Sequence, residues 1–139
     1  MLSYQSARAR YLDDTVSTAS PALLLTMLYD RLLADLERAE VALRAGHRDV
    51  ANAQLTHAQD IVSELAATLN QDAWAGAPQL MSIYAFLGTS LVEANVAASP
   101  DQVAAARALV QPLHEAWTQA AAQVVAGSDT HAVSALRVG

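Results

Sequence analysis

The sequence predicts an all-α protein, an antiparallel up-down four-helix bundle with an N-terminal arm. Three observations carry that expectation. The chain is 53% hydrophobic but only 5% aromatic, and the surplus is alanine and leucine, whose side chains lose little freedom in a helix. Five glycines and four prolines in 139 residues are too few for an all-β chain, which needs a turn about every ten residues. Apolar residues also recur at spacings of three and four over long runs, the period of one helix face.

The first helix is expected to open at Ser20-Pro21, where a serine N-cap precedes a proline suited to the first helical position. Leu25, Leu28, Leu32, Leu36, Ala39 and Leu43 form its stripe, and Gly46 ends it. The second helix covers residues 48–71, with Ala51, Leu55, Ala58, Ile61, Val62, Leu65 and Leu69 facing inward. The third starts near Pro78, after Gly76, and carries Leu80, Ile83, Tyr84, Leu87, Leu91 and Ala94. Ser99-Pro100-Asp101-Gln102 reads as a capping box that opens the fourth, with an acid in its first turn. Its stripe is Val103, Ala106, Val110, Leu113, Trp117, Ala120 and Val124, and Gly127 is expected to stop it. Pro112 removes one backbone hydrogen bond inside this helix, so a kink or local break is expected there. Connectors this short force neighbouring helices to run antiparallel. The expected organisation is an arm or lid at residues 1–19, a bundle at 20–127 and a flexible C-terminal tail at 128–139.

Charge and motifs exclude several functions. A net charge of −6, with eight arginines and no lysine, supplies no basic stripe for nucleic acid and disfavours anionic membranes. The uncharged stretch 73–92 is interrupted by Gly76, Pro78, Gln79, Ser82, Gly88 and Thr89, so no stable membrane insertion is expected. The first residues lack the apolar run of a signal peptide. The absence of cysteine removes thiol chemistry and suits a reducing, cytoplasmic compartment. His57 and Asp60 lie three apart but read as a solvated or locally hydrogen-bonded pair, and His47, His114 and His131 do not converge with them. Asp13-Asp14 reads as a solvated prelude to the bundle. With no phosphate loop or nucleophile motif either, the expectation is no catalytic residue, no metal, no cofactor and no enzyme.

The positive anomaly lies in residues 73–126, where only Glu93, Asp101, Arg107 and Glu115 are charged. A bundle helix in water normally turns about half its circumference to solvent as polar groups. The third helix adds Met81, Ala85, Phe86 and Val92 to its inward stripe. An alanine-rich surface explains this, and so does an apolar groove for an amphipathic partner helix. Composition leaves both open.

Thr18-Ala19-Ser20-Pro21, followed by Leu24, Met27, Leu28, Tyr29 and Asp30, resembles the FliS family, whose hallmark is such a cap leading into an MLYD-like helix. The likeness continues at Asn52, Gln59, Ile61, Val62, Glu64, Leu65 and Leu69, then at Tyr84, Leu91, Ala94 and Asn95, and ends at Trp117. It departs at Thr89-Ser90, where the family often has arginine, at Ala75-Gly76-Ala77, and at Pro112. The resemblance implies a chaperone that binds the C-terminal segment of flagellin in the cytosol and blocks its premature polymerisation before type III export. Anti-sigma factor and export-gate proteins are further partners to consider, and the alternative is a helical adaptor for another amphipathic helix. Candidate partner-binding residues are Tyr11, Tyr29, Asn52, Ile83, Tyr84, Leu87, Leu91 and Asn95, with Tyr4 and Tyr11 in the arm. Tyrosine suits an interface because it joins a large apolar body to a polar tip. Asn95 is read either as a partner for an extended backbone or as the cap of its own helix.

Overall fold

The computed structural model describes residues 21–138, with side chains as far as Gln123. It is all-α: four helices, α1 (Pro21–Arg44), α2 (Arg48–Thr68), α3 (Ala77–Ala97) and α4 (Pro100–Val138), and no strand among the described residues. A compact central unit, Leu28–Leu113, holds most of α1, all of α2 and α3, and the first part of α4. The described residues 21–27 and 114–138 fall in a second unit. The arm and the Ser20 cap lie outside the described residues.

Backbone chemistry explains each reversal. Gly46 takes φ +80, and the amides of Gly46 and His47 bond back to the carbonyls of Leu43 and Ala42, closing α1 in a Schellman motif. α3 closes the same way without glycine. Ala98 sits at φ 48, and the amides of Ala98 and Ser99 reach Asn95 and Ala94. The next helix starts at once, with Ser99 Oγ accepting the Gln102 amide at 3.2 Å as the capping box requires. α2 ends at Thr68, three residues before the expected 71, because Leu69 is extended and Asn70 Oδ1 captures the Asp72 amide. At Gly76 a Cβ would stand 2.0 Å from the Trp74 ring, so a larger residue there would have to push that half-exposed ring aside.

Two expectations for α4 are corrected. Gly127 does not stop it, and the helix runs on to Val138. A glycine within a helix costs only about 1 kcal/mol, and without a following proline or cap it is a weak stop among alanines and valines. Of the kink or local break expected at Pro112, the break does not occur, and the helix continues through it. Ala108, whose carbonyl loses its amide partner there, is exposed to water.

Within the central unit the four helices alternate in direction. Asn52 near the start of α2 meets Asn95 near the end of α3, while Arg44 and Glu40 of α1 meet Asp101 and Arg107 of α4. The core is the expected one for α2 (Ala51, Leu55, Ala58, Ile61, Val62, Leu65) except for Leu69, which lies past the helix end and is half-buried; each large member contributes about 1.5–3 kcal/mol by burial. On α1 the buried stripe is Tyr29, Leu32, Asp35, Leu36 and Ala39, so it is centred on Tyr29 and Asp35, with Leu25 and Leu28 only half-buried.

Candidate partner-binding surface

Four residues expected at an interface lie in the core instead. Tyr29 and Leu87 and Leu91 are wholly buried, and Tyr84 is 2% exposed. The two tyrosine hydroxyls bond each other at 2.5 Å, so both rings can be interior without a stranded polar tip. Burial first, then the Tyr29 hydroxyl, pushes the Tyr84 hydroxyl far above the ordinary phenol range, which keeps it neutral. Leu87 and Leu91 share α3's inward stripe with Leu80, Tyr84 and Ala94. Ile83 is half-buried at the edge of that stripe. Asn52 is exposed and Asn95 half-buried, and Asn95 Nδ2 donates to Asn52 Oδ1 at 2.8 Å; the Asn95 side chain therefore joins two helices rather than capping its own. Tyr4 and Tyr11 lie outside the described residues.

The accessible apolar surface is carried by residues on the other half of α3. Phe86 is 63% exposed, Val92 48% and Val96 74%. At 100° per residue these three, with Ser82, Ala85, Thr89 and Glu93, occupy the half-circumference opposite the buried stripe. Glu93 is the one charge on it. Between α3 and α4, Phe86, Ser90, Glu93, Gln102, Ala105, Ala106 and Leu109 line a depression of about 250 Å³. Two of the few charges in this half point elsewhere: Arg107 donates to both oxygens of Glu40, at 3.1 and 3.3 Å, and Asp101 accepts from Arg44 at 3.3 Å. The polar-poor region is therefore not an alanine veneer. It exposes a phenyl ring and two valines.

The α1–α2 side differs. A wider groove of about 650 Å³ runs between Val41, Ala42, Ala45, Val50 and Gln54, but Glu37, Arg38 and His47 wall it with charge. Beneath the same helices Asp35 is wholly buried, bonded by Arg31 Nε at 3.1 Å and by His57 Nδ1. His57 thus pairs across helices with Asp35, not locally with Asp60. An acid on α1's apolar stripe and a histidine on α2 were the sequence signals for this pair. Among the described residues no three His, Asp or Glu side chains are grouped as a metal would require.

A family model described as "Flagellar protein FliS" matches residues 3–124. The chain belongs to the FliS family. A relative described as "Flagellar secretion chaperone FliS", from Bacillus subtilis (strain 168), is 29% identical over 119 residues, spanning 86% of this chain and 89% of the relative. The resemblance read from the Ser20-Pro21 cap and the Met27-to-Asp30 run is thereby confirmed, and in this FliS-family chain that run sends Tyr29 into the core while Met27 stays partly exposed. The FliS assignment also bears on α3, which is long and apolar enough to cross a membrane by length and composition. In the central unit its inward stripe is taken up by packing, in part against α2, as a bundle helix uses it.

Proposed function

We propose that this chain is a cytoplasmic export chaperone that binds the C-terminal segment of flagellin and holds it from polymerising before type III export. One observation supports the reading above all: a FliS-family bundle with a filled core still exposes Phe86, Val92 and Val96 on one face. Flagellin's C-terminal segment, helical in the filament, is the amphipathic partner such a face fits, and covering the segment's apolar side removes the surface through which subunits assemble. The proposed site keeps Asn52, Ile83 and Asn95 and adds Phe86, Val92 and Val96. Recognition is coupled to ordering of the partner, which consumes several kcal/mol of contact energy and leaves an affinity from which release needs no bond cleavage. No observation favours an anti-sigma factor or an export-gate protein as the partner of this face.

Calorimetry with the cognate flagellin segment tests the reading. It is expected to show one-to-one binding, favourable enthalpy and a negative heat-capacity change. Silence from both the segment and intact flagellin contradicts it.

A further inference from the structure

On the α2 flank of α3's last turns, beside Val96, the chemistry changes from apolar to amide. Antiparallel packing sets the first turns of α2 beside the last turn of α3, and there Asn52 and Asn95 bond each other at 2.8 Å. Both line a shallow cavity of about 470 Å³ with Arg48, Asp49 and Val96. Arg48 is itself tied to α3, its guanidinium donating to the Val96 carbonyl at 3.1 Å. A primary amide has one carbonyl oxygen and two N–H groups. After the mutual bond the pair retains the Asn95 oxygen as acceptor and both Asn52 N–H groups as donors, besides the second N–H of Asn95 and the second lone pair of the Asn52 oxygen, and exchanging the two ends of both amides leaves the same set.

An unused amide oxygen beside unused N–H groups can meet both the N–H and the C=O of a peptide main chain. Arg48 and Asp49 cancel in charge at the cavity, so nothing there selects a charged side chain. Within a helix the backbone groups are already bonded to one another, and only the first four amides and last four carbonyls are available. Val96 is exposed at this cavity and belongs to the same outward face as Val92 and Phe86. A partner that covers Val92 and Val96 and then turns onto the α2 flank reaches the asparagines with usable backbone groups only where its helix has ended.

We propose that Asn52 and Asn95 hold the partner's main chain at a break between helical stretches, an inference that rests on the flagellin reading above. The pair sets where along the segment the helix stops, and so the register in which the apolar residues meet α3.

The test uses the full chain and a synthetic flagellin C-terminal segment, alongside copies in which single backbone amides are replaced by esters. Asn52→Ala and Asn95→Ala are each expected to weaken binding about tenfold while the melting temperature stays close to that of the unaltered protein. An ester at one or two adjacent positions should weaken binding to the unaltered protein, and have much less effect on either variant. If the unaltered protein binds but both variants bind equally well, or lose affinity only as they lose fold, the inference is overturned and the flagellin reading stands. If ester sensitivity is the same in variants and unaltered protein, the asparagines do not touch the main chain. Absence of binding by the unaltered protein overturns the flagellin reading, and this inference with it.

Discussion

Between α1 and α2 the central unit buries charge, whereas along the outward half of α3 it exposes hydrocarbon. Asp35 has no solvent contact and depends on His57 and Arg31 for its hydrogen bonds. Phe86, Val92 and Val96 stand about half or more in solvent. An interior ion pair seldom adds net stability over an apolar replacement, but it penalises every arrangement in which the charge is left alone. Exposed valine and phenylalanine contribute little to stability and invite association. The first region constrains which faces of α1 and α2 meet. The second is surplus to folding, which frees it for a partner.

The largest effect should come from breaking the buried side. His57→Ala leaves the Asp35 carboxylate inside with the Arg31 guanidinium beside it, and is expected to lower unfolding free energy by about 3–5 kcal/mol in urea titrations. The double variant Asp35→Ala with His57→Ala should be less destabilised than His57→Ala alone, since the charge is then gone. A double variant worse than the single would mean the pair is valued for its packing.

Tyr84→Phe removes a hydroxyl from a buried pair and should cost about 1 kcal/mol at neutral pH. A smaller effect follows at high pH. The fold favours neutral Tyr84, raising its pKa above the ordinary 10.0, so its contribution is whole below that pH and is lost as pH rises beyond it. Urea unfolding at stepped alkaline pH should show stability falling above about pH 10, and the fall should be shallower in Tyr84→Phe. An identical slope in both proteins would assign the alkaline loss to other groups.

Much of this arrangement was legible in the residues. Stripes spaced at three and four located the helices, and Ser99-Pro100-Asp101-Gln102 marked the start of α4 to the residue. Ala98 was not legible as a stop, because alanine at positive φ is disfavoured and is held there by two backbone bonds and the next helix's cap. Gly127 was misleading for the converse reason: glycine permits a stop but does not impose one. Tyr29 and Tyr84 were read as interface residues because each has a polar tip, and only the fold brings the two tips together across 55 positions of sequence. Asp35 and His57 were hidden likewise, being 22 residues apart on different helices. Of the site, Asn52, Ile83 and Asn95 were named from sequence. Phe86 and Val92 were seen as apolar surplus, but their exposure needed the rotation of α3, set by which of its faces meets the core.

The comparison is tested most directly by measuring stability and flagellin affinity together on Phe86→Ala and Leu65→Ala. Phe86 is 63% exposed and Leu65 1%. Phe86→Ala should leave urea stability within about 0.5 kcal/mol of the unaltered protein, yet weaken calorimetric binding of the flagellin segment about five- to thirty-fold. Leu65→Ala should open a cavity, lose about 2–5 kcal/mol of stability, and bind normally while it remains folded. If Phe86→Ala instead binds flagellin as tightly as the unaltered protein, the outward face of α3 is not the docking surface.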